Sequence, residues 1–313
     1  LAMAGQQVTV VLYQNIDQHP LVHSLQQSHP DIHLCQLNGT ISALWAFLRR
    51  ESPSILHTHG YKAGILGRLL AIPLVTSVVS TYHAGELPSG RVRAYDLLDR
   101  YLGFAAAARF AVSHEIRQRL PYSARVLDNF VDTRGLHQSQ GQQLAFVGRL
   151  SHEKGPDRLL DLAQQFPEQN FDIYGDGPLA ATLTRQPTAN VTFHGQSDMR
   201  LYWPYIGVLI MPSRYEGLPM AALEAMARGI PVIASNVGDL GRVIEHGING
   251  WLVDQNDANA FERALQQWLQ LSQAERQQMQ QQCITTIRSR FSTQAVIPTL
   301  LRTYWQIAKP QSS

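Results

Sequence analysis

Short apolar runs recur along the chain, separated by longer segments in which apolar residues return with helical period. Runs at 8–13, 32–37, 55–59, 75–82, 110–113 and 126–130 predict six strands. Six more are predicted at 144–147, 171–174, 191–194, 208–211, 232–235 and 251–253. Helical period at 42–50, 63–71, 91–104, 157–165 and 221–228 fills the gaps between them. Strand–helix alternation, twice over, predicts an α/β protein of two doubly wound domains. The polar stretch 133–143 has no apolar period and predicts the linker, which sets the domains at 1–138 and 139–292. From about 256 to 308 only helices are predicted. Glutamine is dense between 266 and 282, but Leu, Trp and Met recur there at helical spacing, so a surface helix is expected rather than a low-complexity tract. Residues 1–4 followed by Gly5 read as a helix end with its glycine cap. A doubly wound domain normally opens with a strand and a glycine-rich turn, and neither precedes Gly5.

Composition narrows the possible functions. The 313 residues are 44% hydrophobic and 16% charged, ordinary values for a globular protein of two domains. A formal charge of +2 argues against nucleic acid as the main partner. Residues 1–138 hold 12 Lys/Arg against 9 Asp/Glu, with much of the excess between Arg91 and Arg125. That excess reads either as a solvated face or as a surface drawn to anionic lipid. Cys35 and Cys283 stand in no metal-ligand spacing and suit buried thiols of a reducing cytoplasm. No apolar run reaches the length of a membrane span.

Candidate chemistry gathers at predicted strand ends. Glu216 and Glu224 flank Gly217, Leu218, Pro219 and Met220, after a strand and at a helix start. Pro219 suits the first helical turn, and open N–H groups over 217–220 suit a phosphate. Carboxylates there accept hydrogen bonds from sugar or ribose hydroxyls. A surface helix with two solvated glutamates is the bland alternative. Arg149 and Lys154 bracket a turn that ends in Gly155, between a strand and a helix, and match the charge of a diphosphate. Gly175 and Gly177 form a third turn that lets a ligand approach the backbone. His194 and Gly195 form a fourth, where His194 reads as structural rather than catalytic. His83 follows a strand in the first half and reads equally as a ligand contact or a structural residue. His57 and His59 share one strand face without a partnering carboxylate, and the chain has no Asp-x-Asp pair, so no metal site is expected.

In order and spacing, these features resemble the family 4 retaining glycosyltransferases of the GT-B fold, over nearly the whole chain. They comprise residues 7–11, 55–60, Asp128, Asn129 and Asp132, 148–155, 174–179 and 216–224. Residues 55–68 are similar to members that build bacterial surface polysaccharides. The resemblance implies two Rossmann-like domains facing across a cleft, with residues 293–313 as a helix and tail crossing back to the first. It implies that Arg149 and Lys154 bind the donor diphosphate and stabilise the leaving group in place of a metal, so that no cofactor is needed. It gives Glu216 the donor sugar, Glu224 the ribose, and 217–220 backbone donors. The loop at His194 and Gly195 would lie near the base, and His83 would reach the sugar. The donor is a nucleotide-sugar, with UDP favoured over GDP. The acceptor is a glycan or lipid-linked glycan in polysaccharide or lipopolysaccharide synthesis, reached by a cytoplasmic protein with peripheral contact to the inner membrane face. The sequence departs from the family in lacking the first strand and its glycine-rich loop. That departure keeps open an inactive nucleotide-sugar-binding protein; an epimerase of the same fold is a further alternative. Replacing Lys154 or Glu224 by Ala is expected to weaken nucleotide-sugar binding with thermal stability nearly unchanged.

Overall fold

In a computed structural model the described residues are 1–2, 5–14, 32–83, 90–185, 188–257 and 259–308. The elements run β1 (Thr9–Leu12), β2 (His33–Gln36), α1 (Ile41–Glu51), β3 (Ile55–His59), α2 (Tyr61–Leu74), β4 (Ser77–Tyr82), α3 (Gly90–Leu102), β5 (Ala108–Ala111), α4 (His114–Arg119) and β6 (Arg125–Val126). They continue with β7 (Gln143–Val147), α5 (Pro156–Gln165), β8 (Phe171–Tyr174), α6 (Ala180–Leu183), β9 (Val191–Gly195), β10 (Ile206–Met211), α7 (Met220–Met226), β11 (Val232–Ser235) and β12 (Gly250–Val253). Three helices follow: α8 (Ala260–Gln270), α9 (Gln273–Arg290) and α10 (Thr293–Ile307).

The chain divides into two compact units. One comprises Leu1–Ala111, Ile116–Leu127 and Ile297–Ser313, and the other Val112–Glu115 and Asp128–Val296. The stretch expected as a linker lies within the second unit. There the Ser139 hydroxyl is buried and donates to the carbonyls of Pro204 (3.1 Å) and Ile206 (2.7 Å). A Cβ on Gly141 would fall 1.8 Å from the Tyr205 backbone carbon, so this polar segment packs backbone to backbone. The predicted strand at 126–130 shrinks to Arg125–Val126, and two of the side chains beyond it are committed elsewhere: Asp128 to Arg242 and Asn129 to the Leu218 carbonyl.

The second unit carries one six-stranded parallel sheet in the order β12-β11-β10-β7-β8-β9. From β7 the chain steps outward to β8 and β9, then returns to the other side of β7 with β10. The reversal makes the carboxyl ends of β7 and β10 the place where a doubly wound sheet opens a ligand crevice. Strand β10 is buried along its whole length, as a central parallel strand covered on both faces must be. Val208 and Ile210 face one apolar cluster, which includes Leu159, Leu160 and Trp268, while Leu209 and Met211 face another, which includes Leu223, Met226 and Ile287. This alternation follows from the two-residue period of a strand. The glutamine-rich stretch covers the end of α8 and the first part of α9, and α9 is opened by a capping box between Ser272 and Glu275 and held by buried Met279, Cys283, Ile284 and Ile287.

In the first unit, β1 pairs with β2, while β3, β4, β5 and β6 form a separate four-stranded parallel sheet. The smaller sheet is held by side chains instead: Val11 and Cys35 pack with Leu44, Phe47 and Leu48 of α1 and with Leu66 and Leu70 of α2. Residues 75–76, expected to open β4, instead close α2, with Val75 in the left-handed region at φ 56°. Gly5, at φ 76°, accepts the turn expected of it, whereas Met3 and Ala4 of the expected helix end lie outside the described residues.

Candidate functional site

Three turns at the carboxyl edge of the second sheet interlock through their backbones. The Gly148 N–H donates to the Tyr174 carbonyl (3.0 Å), Leu150 N–H to Asp176 (2.9 Å) and Leu179 N–H back to Leu150 (2.9 Å). Gly175 sits at φ 144°, and a Cβ there would lie 1.8 Å from the Gly148 carbonyl oxygen. On Gly177 it would lie 2.5 Å from the Leu150 oxygen. Only glycine at 175 and 177 lets the turn after β8 approach the turn after β7 this closely. Gly175 N–H also donates to the Gly195 carbonyl (2.8 Å), so the β7, β8 and β9 turns form one connected rim.

The turn after β7 is equally bound to the turn after β10. Gly155 takes φ 66°, and a Cβ on it would strike the Pro212 carbonyl oxygen at 2.3 Å. Arg214 N–H donates to the Glu153 carbonyl (2.7 Å), and the Arg214 guanidinium pairs with Asp157, holding that carboxyl below its usual range. At the centre, Lys154 Nζ donates to both Glu216 oxygens, at 2.8 and 2.7 Å, and Ser213 Oγ donates to Oε1 at 2.8 Å. The Glu216 side chain is only 4% exposed, against 31% for Lys154. This pair revises the expectation for Lys154→Ala. Loss of the ammonium would leave a buried carboxylate without its cation, so stability must fall along with binding. Arg149 is exposed and makes no ion pair among the described residues.

The segment 217–220 follows directly. Gly217 has open space around its Cα, Leu218 is buried, Pro219 caps α7 and Met220 begins it, exposed. Proline thus stands one position earlier than expected. Helix α7 has seven residues, so its dipole contributes little and the local N–H groups matter more. Glu224 lies one turn into α7, where burial raises its carboxyl pKa against the opposing pull of Arg228 and Trp203.

Several supporting contacts are not visible in the sequence. A Cβ on Gly238, at φ 59°, would lie 2.2 Å from the Glu216 carbonyl oxygen, and Asp239 N–H donates to the Gly217 carbonyl (2.9 Å). Asn129 Nδ2 donates to the Leu218 carbonyl (2.7 Å). These residues fix the path of 216–218. Gly238 follows β11, so the criterion used for the other strand-end glycines would have found it. Asn129 lies far away in sequence, and only the fold brings it there.

His194 is anchored rather than poised: its Nε2 meets Asp172 Oδ1 at 2.6 Å, and its ring stacks on Tyr174 at 4.4 Å. His83 lies in the first unit at the end of β4, exposed, with Nε2 2.8 Å from His59 Nδ1. His57 bridges Tyr304 and Thr81, and burial, reinforced by His59 and His83, pushes its pKa down to about 3. Among the described residues, no group of three His, Cys, Asp or Glu could hold a metal ion. No helix there is long and apolar enough to cross a membrane. Cys35 and Cys283 are both free, and burial raises the Cys283 thiol pKa.

Comparison with known proteins agrees with this architecture. Residues 1–124 match the family model of the glycosyl transferase 4-like domain, and 132–287 that of glycosyl transferases group 1. The chain is 28% identical over 275 residues to the UDP-Gal:alpha-D-GlcNAc-diphosphoundecaprenol alpha-1,3-galactosyltransferase of Escherichia coli, covering 72% of this chain and 69% of that protein. Sucrose-phosphate synthase from Thermosynechococcus elongatus has a TM-score of 0.79 at 20% identity, over 98% of this chain and 90% of its own. Anabaena HepE in complex with UDP gives 0.78 at 17%, over 95% and 92%. The chain belongs to the family 4 glycosyltransferases of the GT-B fold and is similar to enzymes that build surface polysaccharides.

Proposed function

We propose that the second unit binds a nucleotide-sugar, UDP-linked in preference to GDP-linked, at the carboxyl edge of β7 and β10. The chain then transfers its hexosyl group, with retained configuration and without a divalent metal, to a glycan or lipid-linked acceptor. The observation that carries this reading is the Lys154–Glu216 pair at the strand-order reversal, with Arg149 exposed on the same turn as Lys154. Arg149 and Lys154 meet the donor diphosphate, and their interaction strengthens as charge develops on the departing phosphate. Glu216, already ordered by Lys154 and Ser213, accepts hydrogen bonds from the donor sugar. Glu224 accepts from the ribose, and Gly217, Leu218 and Met220 lend backbone N–H groups. The turns at Gly175, Gly177, His194 and Gly195 line the nucleotide side. His83 is the further residue assigned to the sugar. The galactosyltransferase relative, which by its name uses UDP-galactose and an undecaprenol-linked acceptor, supports both halves of the reaction. The Anabaena neighbour bound to UDP supports the nucleotide. A protein working on such an acceptor meets the membrane peripherally, at its inner face. The test is transfer from radiolabelled UDP-hexoses to a short polyprenyl-diphosphate sugar in the presence of a chelator. Product with the α-anomeric linkage of its α-linked donor supports the reading, and inversion or a strict metal requirement overturns it.

A further inference from the structure

The loop that follows β10 is held by three successive carbonyls. The Glu216 oxygen lies so close to Gly238 that a Cβ there would stand 2.2 Å from it. The Gly217 carbonyl accepts from the Asp239 N–H at 2.9 Å, and the Leu218 carbonyl from Asn129 Nδ2 at 2.7 Å. Across a trans peptide, a carbonyl and the N–H that follows it point in opposite directions. These peptides are trans. Pinning the Glu216 and Gly217 carbonyls therefore aims the Gly217 and Leu218 N–H groups the other way, away from the residues that hold the loop.

The holders are themselves joined. Asp239 precedes a short 3-10 turn, Leu240–Arg242, and its carboxylate leaves the N–H groups of that turn uncapped. It turns instead to two other partners. Its Oδ2 lies 3.5 Å from Arg242 Nη1 and accepts from the His114 N–H at 3.1 Å. The same guanidinium grips both oxygens of Asp128, with Nη2 to Oδ2 at 2.9 Å. Asp128 directly precedes Asn129, so Arg242 ties the residue that holds Leu218 to the residue that holds Gly217. All of these residues belong to the second unit.

An exposed ion pair would contribute little here. This one differs in burial and geometry. The Asp239 side chain is only 9% exposed, and the contact to Asp128 is bidentate. Buried Leu240 and Val243 fix the turn in the same apolar cluster as Leu218 and Leu223. The guanidinium thus joins anchored backbone to the loop and not merely one surface side chain to another.

We propose that Arg242 is a positioning residue for the donor site. By joining Asp128 to Asp239 it keeps residues 216–218 on one path, so that the Glu216 carboxylate and the Gly217 and Leu218 N–H groups meet the donor already arranged. This role rests on the donor site proposed above and extends it to a residue that meets neither sugar nor phosphate.

Arg242→Met keeps much of the side chain's length and removes its charge. Calorimetric titration of the full chain with UDP, UDP-glucose and UDP-galactose tests the variant. Whichever UDP-hexose binds the wild-type chain more tightly should lose about tenfold in affinity, and UDP no more than about threefold, because UDP lacks the sugar that Glu216 holds. Arg242→Lys keeps the charge but cannot grip both Asp128 oxygens in parallel, and should fall between the two. In the ligand-free chain, hydrogen exchange of the Asp239 amide, which bonds the Gly217 carbonyl, should quicken by about tenfold in Arg242→Met. The Gly148 amide, bonded to the Tyr174 carbonyl, should keep its rate. Equal losses of UDP and UDP-hexose affinity, in step with a lower melting temperature, overturn the proposal and leave Arg242 a structural residue. A folded Arg242→Met chain with unchanged hexose affinity or unchanged Asp239 exchange overturns it too. A folded wild-type chain that binds neither UDP nor a UDP-hexose removes the donor site, and with it the role in binding, while the exchange rates still decide whether Arg242 holds the loop.

Discussion

The two units solve the same folding problem differently. In the second, six parallel strands form one sheet, and the turns at its carboxyl edge are bonded backbone to backbone through glycines that admit no side chain. In the first, the strands form two sheets, and the corresponding edge carries histidines linked through their rings. Gly60, at the end of β3, also has positive φ, yet a Cβ on it would meet nothing within 4 Å. The second unit fixes its edge with main-chain contacts reinforced by pairs such as Lys154–Glu216 and Arg214–Asp157, and the first with side chains. Main-chain fixation suits a ligand shared across a family, such as a diphosphate. Side-chain fixation can change residue by residue, as a varying acceptor requires.

Gly175→Ala should have the largest effect. The Cβ overlap with the Gly148 carbonyl and the positive φ together should cost about 3 kcal/mol or more and abolish nucleotide binding. Gly60→Ala, with the same sign of φ but open space, should cost about 1 kcal/mol. Urea unfolding followed by calorimetry distinguishes the two, and equal costs would erase the contrast between the edges.

Lys154→Ala comes next. With Lys154 partly exposed, stability should fall by about 1–2 kcal/mol, less than for a fully buried pair, and UDP affinity by about thirtyfold. Adding Glu216→Gln should restore stability, because the stranded charge is gone, without restoring affinity. Recovery of both would mean that the lysine only neutralises Glu216. Arg149→Ala should lower affinity by about tenfold with an unchanged melting temperature, since no ion pair is lost in the protein.

The smallest effect is a pH dependence confined to the first unit. Burial lowers the folded pKa of His57 below its unfolded value, so the folded state prefers the neutral ring. The associated stability is present above pH 6.5 and is lost as pH falls from there toward about 3. Melting curves between neutral and mildly acidic pH should show this slope, and His57→Gln should flatten it. A slope unchanged in the variant would assign the acid sensitivity to other groups.

Much of the second unit was legible in the sequence because its constraints are local. A glycine or proline beside a strand end is visible in a few residues, as at Gly148, Gly155, Gly175 and Pro219. Strands β3, β8 and β11 appear with the expected bounds because each is an apolar run closed by a turn. The reading failed where distant residues decide. Val75 looks like a strand residue by propensity, but it closes α2. The strand at 126–130 was cut short by Arg242 and Leu218, more than eighty residues away. The Lys154–Glu216 pair, separated by 62 residues, was read as two independent ligands rather than one unit.

Calorimetric titration of the purified chain with UDP, then GDP, in the absence of divalent metal tests the central claim most directly. Micromolar to sub-millimolar binding of UDP, weaker binding of GDP and about thirtyfold weakening of UDP binding in Lys154→Ala are the predicted results. Binding that survives Lys154→Ala unchanged, or no binding by a chain whose second unit is folded, would contradict a donor site at the β7 and β10 edge.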